Sequence, residues 1–141
     1  MILGYERTCK NNIFSNSNRR AKLSHYGAEK FYIDHTKQKS NRRKQLILAI
    51  KEAKKGDTII IPRLELLGLK LATIDKFLKK VEEKELHLFF PEELEIRNEI
   101  DLRVFIRFTR IHEEMFRYYK NGTLHDEYDE DYIDYIYDED Y

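Results

Sequence analysis

Residues 54–78 read KKGDTIIIPRLELLGLKLATIDKFL, and the fold follows from how this stretch divides. "DTIIIP" (57–62) is an almost unbroken apolar run after a Gly-Asp pair, the pattern of a parallel strand covered on both faces. Gly68 marks a turn. From there Ile74, Phe77, Leu78 and Val81 recur at helical spacing and predict a helix over 71–85. In a strand–turn–helix unit of this kind, the carboxyl end of the strand is where ligands usually meet side chains. Here that end offers Leu66, Leu67 and Leu69, with Glu65 and Lys70 as its polar groups.

The same alternation extends outward. "MILGY" (1–5), "FYID" (31–34) and "LHLFF" (86–90) read as further strands, and residues 19–26 and 41–55 as intervening helices. The helix over 41–55 has the clearer pattern, with Leu46, Ile47, Ile50 and Ala53 on one face and Gly56 as its stop. Strand alternating with helix at this spacing predicts an α/β fold with a mostly parallel sheet of four or five strands flanked by helices.

After "PEEL" a longer amphipathic helix is expected over about 95–120. Ile100, Val104, Phe108, Ile111, Met115 and Tyr118 form one apolar stripe, and Arg103, Arg107, Arg110 and Arg117 lie on a separate face. The helix is long for a domain whose sheet is nearly complete. Part of its stripe is therefore read as a surface for another subunit; the alternative is that it lies across its own sheet.

A chain of 141 residues, 41% hydrophobic and 37% charged, fits one globular domain. Its formal net charge of zero hides a split: residues 126–141 hold nine acids and no Lys or Arg, leaving 26 basic against 17 acidic side chains in the rest. A basic body with an acidic tail suggests polyanion binding with the tail as competitor; a solubilising tail is the plainer reading. The expected organisation is an α/β domain over 1–94, a long helix offering a partner surface over 95–122, and a disordered acidic, Tyr-rich tail over 123–141. Tail tyrosines alternating with acids also suit phosphorylation, partner binding or mimicry of a nucleic-acid backbone. Cys9, the single cysteine, excludes an internal disulfide and fits a reducing compartment. Neither a signal peptide nor a membrane span is expected, so the expected location is cytoplasmic.

Chemistry centres on "GYERTC" (4–9), which is expected to place Arg7 and Cys9 in the loop at the carboxyl end of the first strand. An arginine and a nucleophile two residues apart can face one phosphate together, the cation steadying charge as the nucleophile attacks phosphorus. The five histidines are scattered, "HEEMF" (112–116) lacks a second His, and no Gly-rich phosphate loop exists. No metal or cofactor is expected.

The order "GYERTC", "SNRRKQLILAI" (40–50) and "KKGDTIIIPRLELLGLKLATIDKFL" (54–78) resembles the catalytic domain of the serine recombinases, the resolvase/invertase family, over about residues 1–120. The resemblance implies a flavodoxin-like fold, DNA as partner, strand exchange through a phosphoserine linkage, and a long helix (95–122) for dimerisation or DNA contact, with Arg103, Arg107, Arg110 and Arg117 as its expected DNA-binding residues. Tyr5 and Arg7 match the family's first motif, but Cys9 stands at the nucleophilic serine. Arg43 matches the arginine that opens the second helix, with Arg42 in place of an aspartate. In "LELLGLK", Leu64, Leu67 and Gly68 match, Glu65 replaces an aspartate, and Leu66 and Leu69 occupy the positions of two catalytic arginines. Lys70 comes one residue late.

Phosphoryl transfer depends mainly on fixed cations around the equatorial oxygens, and each lost donor costs about 3–4 kcal/mol. The resemblance therefore implies a DNA-recombination domain with impaired cleavage, acting as an oligomerising or regulatory partner, homodimeric or mixed with a related recombinase. One alternative keeps Cys9 as nucleophile with Arg7, Arg43 and Glu65 around it, since a neighbouring arginine can lower a thiol's pKa. Another is an interaction protein unrelated to DNA, with the tail as effector. Family members usually carry a helix-turn-helix domain after the long helix; the acidic tail at that position makes sequence-specific DNA binding by this chain alone unexpected.

Overall fold

The computed structural model describes residues 1–9, 15–36, 42–68 and 70–120. Four strands, β1 (Ile2–Cys9), β2 (Lys30–Thr36), β3 (Thr58–Ile60) and β4 (His87–Phe89), form one sheet in the order β2-β1-β3-β4. Every neighbouring pair is parallel. Helices α1 (Ser15–His25), α2 (Lys44–Glu52), α3 (Leu71–Glu83) and α4 (Glu99–Lys120) alternate with the strands or follow them. The expected α/β fold is the one observed.

The two faces of the sheet are covered unequally. Leu3 and Tyr5 on β1, Ile59 on β3 and Leu88 on β4 pack into one large core with α2, α3 and α4. The other face carries a small cluster in which Leu23 of α1 meets Ala28 and Ile60. The backbone of β1 comes very close to α1 at Gly4. A Cβ there would lie 2.8 Å from the Ala28 Cβ and 3.1 Å from Leu23 Cδ2, so only glycine fits without displacing the helix.

Several boundaries differ from the sequence expectation. β1 continues through Cys9, so Arg7 and Cys9 are strand residues rather than loop residues. Pairing with β2 extends to Cys9↔Thr36, whereas pairing with β3 stops at Gly4↔Ile60. The end of β1 thus extends beyond its last pair with β3. α2 ends at Glu52, not at Gly56. Ala53 is extended there, and Lys54–Asp57 closes a separate turn, with the Lys54 amide donating to Asp57 Oδ2 at 2.9 Å.

α4 seats on the domain through Leu102 and Ile106, which are fully buried. The stripe expected from the sequence points away from this seat: Ile100, Val104, Phe108, Ile111 and Met115 are between 50% and 68% exposed. The side chain of Tyr118 and the tail over 123–141 lie outside the described residues.

Candidate active-site corner

The strand order places the carboxyl ends of β1 and β2 beside the start of α2 and the turn after β3. Asp34, nearly buried on β2 opposite Arg7, organises this corner. The Tyr5 hydroxyl donates to its Oδ2 at 2.8 Å, and the Gln45 amide donates to its Oδ1 at 3.0 Å. Gln45 lies in the first turn of α2, whose N-cap position is Arg43. An arginine side chain cannot accept a hydrogen bond, so the neighbouring strand supplies the acceptor that the helix start needs. A carboxylate there also complements the positive end of the helix.

Held in this way, Arg43 is buried, and its Nε donates to the Leu66 carbonyl oxygen at 2.7 Å. Its guanidinium passes Gly68, where a Cβ would lie 3.5 Å from Nη2. Gly68 has φ +108°, a conformation that favours glycine and redirects the chain toward α3. Before it, Leu64–Leu67 form one 3-10 turn. Leu66 and Leu67 send their side chains into the large core. Leu66 therefore has its carbonyl toward Arg43 and its side chain among leucines and isoleucines.

The corner thus joins Tyr5, Asp34, the start of α2, Arg43 and the Leu66–Gly68 backbone. Arg7 is half-buried on β1. The Cys9 backbone lies at the end of β1, but its side chain, like all of Leu69, falls outside the described residues. Glu65 points outward, with one oxygen 3.0 Å from Arg63 Nε. Thr8, on the opposite register of β1, pairs its hydroxyl with His35 Nδ1 at 3.0 Å.

A family model described as "Resolvase, N terminal domain" matches residues 2–121. The chain belongs to the resolvase family. This is a family of serine-recombinase-type DNA recombination, whose members typically act on DNA and oligomerise. No curated protein matches the chain.

In this resolvase domain, the basic residues expected to meet DNA are placed unevenly. Arg103 donates from Nη1 to Asp75 Oδ1 at 2.6 Å and pairs with Glu82. Arg110 pairs with Asp75 as well. Arg107 is exposed, and the Arg117 side chain lies outside the described residues. Asp75, on α3 and only 2% exposed, was hidden in the sequence because it sits among apolar helix positions. Burial pushes its carboxyl up, but the Arg103 hydrogen bond and the charges of Arg110, Lys79 and Arg103 outweigh this and hold it below the usual carboxylate range.

Two more carboxylates fix the frame. Glu6 is fully buried on the α1 side of β1, with Arg63 Nη2 at 2.9 Å and Arg19 Nη1 at 3.3 Å. It thereby steadies the residue that enters the 3-10 turn. Glu99, at the start of α4, accepts the Leu88 amide at 2.8 Å and lies 2.9 Å from His87 Nδ1, tying that helix to β4. The period-two pattern could have flagged Glu6, an acid between Tyr5 and Arg7 inside a strand. Asp34 is likewise the one acid of the second predicted strand. Among the described residues no group of three or more His, Cys, Asp or Glu could hold a metal ion, and no helix is long and apolar enough to cross a membrane.

Proposed function

We propose that this resolvase-family chain works on DNA as an oligomerising partner with impaired strand cleavage, associating through α4 with its own kind or with a related recombinase. The exposed apolar face of α4 carries this reading. Ile100, Val104, Phe108, Ile111 and Met115 are each at least half exposed on one helix, and such a contiguous patch on a soluble fold marks an association surface. Impairment is supported by the turn after β3. Leucine stands at 66 and 69 where the family pattern has arginines, and Leu66 is turned into the core. Arg43 is engaged by a backbone carbonyl. An in-line displacement at phosphorus needs cations aimed at the transferring group.

Sedimentation of the purified chain and of Phe108→Glu/Ile111→Glu tests the association. Wild type forms dimers or joins a related recombinase, and the double variant sediments as a monomer with its fold intact. Incubation with supercoiled DNA tests the impairment: neither wild type nor Cys9→Ser forms a covalent adduct. A monomeric wild type that contacts neither recombinase nor DNA would sink the first half. A covalent adduct from the wild type would sink the second, and its loss in Cys9→Ala would restore Cys9 as nucleophile.

A further inference from the structure

A groove of about 280 Å³ lies between the turn after β3 and the middle of α4. Leu64, Leu71, Ile74 and Phe105 supply apolar walls, and Gly68 leaves one side open to the backbone. Among the described residues the polar groups along it are the Thr109 hydroxyl and the carboxylates of Glu65 and Glu113, and none of the described lining side chains is basic. The Thr109 hydroxyl is already used, since it donates to the Phe105 carbonyl oxygen at 2.8 Å. What remains is an apolar trough bordered by negative charge. Glu65 is largely exposed and shared with Arg63, whereas Glu113 is half-buried on the helix.

This combination selects its occupant. A phosphate or carboxylate would be repelled by both acids. A purely apolar group would leave the half-buried Glu113 carboxylate without a partner among the described residues, whereas Glu65 keeps Arg63. A cation on an aliphatic stem meets both demands, because its methylenes lie along the leucines while its head stays at the polar rim. Small-molecule sites usually occupy about 300–1,000 Å³, so this groove sits at the small end and suits a single long side chain. It is also continuous with the uncovered helix face. Phe105 lines the groove and is itself 36% exposed beside Val104 and Phe108. Phe105 is where the two surfaces meet, so a chain lying along that face would have the opening at its flank.

We infer that the groove is a socket for an arginine or lysine side chain of a protein partner seated on the exposed face of α4. The inference rests on the shape and charge of the groove and stands whether or not the chain cleaves DNA. In a domain whose family handles phosphates, it makes the neighbourhood of this turn a receiver of positive charge.

The test uses the full chain and four capped tripeptides, acetyl-Leu-X-Leu-amide with X as Arg, Lys, Gln or Glu, followed by backbone amide NMR. The Arg and Lys peptides shift the amides of Gly68, Leu71 and Thr109 in a saturable way. The Gln peptide binds about tenfold more weakly, the difference expected from one charge-assisted hydrogen bond, and the Glu peptide does not bind. Glu113→Gln abolishes the preference of Arg over Gln. Thr109→Met, which fills the trough and keeps both acids, abolishes binding of every peptide. Equal binding of the Arg and Gln peptides, shifts that avoid these three amides, or a preference unchanged in Glu113→Gln would each overturn the socket. If butylguanidinium alone binds as tightly as the Arg peptide, the protein partner is wrong and the site is one for a free cation.

Discussion

Leu66 faces two ways, its carbonyl bonded to Arg43 and its side chain only 7% exposed in the core. Placing an arginine there does not restore a catalytic cation, because the new charge would enter an apolar environment or force the turn to open. Leu66→Arg is expected to lower stability by about 2–3 kcal/mol, the upper part of the usual range for one substitution, as read from urea unfolding. It is not expected to produce a DNA adduct. The identity of this residue was legible from the order of "LELLGLK" in the chain. Its orientation was not, because the direction of a side chain in a one-turn 3-10 segment is set by α2 and α3 packing over it. Arg43 shows the same limit. Its position before a helix could be read from sequence, but its bond to a carbonyl across the domain depends on Asp34 holding that helix start from the neighbouring strand.

At the scale of elements, α4 combines a legible pattern with a hidden one. Its apolar stripe was plain from the three- and four-residue spacing. Leu102 and Ile106, which actually seat the helix, lie off that stripe, because apolar residues cover more than half of its circumference and periodicity alone does not say which part docks. Nor could the sequence show that Arg103 and Arg110 would converge on Asp75, 28 and 35 positions earlier in the chain. This pairing makes a clasp between α3 and α4. Asp75→Asn is expected to cost about 3 kcal/mol at neutral pH, the low end for removing one partner of a buried pair, because Arg110 is half exposed. The folded-state pKa of Asp75 is depressed. Its contribution is therefore complete above the ordinary carboxylate pKa of about 4 and disappears as pH falls through the lowered value. Urea unfolding at a series of pH values checks this: the gap between wild type and Asp75→Asn closes on acidification below that range and stays constant above it.

For the whole molecule, alternating strands and helices made the architecture legible, because parallel sheets need crossovers and leave few ways to connect them. The unequal covering of the sheet was not legible, since a helix does not announce which face it will take. Charge is distributed as unevenly as the helices, with the nine acids of residues 126–141 set against a basic remainder. If those acids compete with DNA for α4, removing residues 124–141 tightens DNA binding and steepens its dependence on salt; an unchanged slope would reduce them to a solubilising role. The single helix behind β1 carries a further consequence. Among the described residues α1 holds its side of the sheet with one small cluster, Leu23, Ala28 and Ile60 with four partly buried neighbours, and with the ion pairs of Arg19 and Lys22 to Glu6. Three helices share the larger core opposite. Local opening free energy follows the contacts that must be broken. Deuterium should therefore enter the amides of α1 well before those of α2 and α3, so the molecule comes apart first from its thin side while the corner holding Arg43 remains closed.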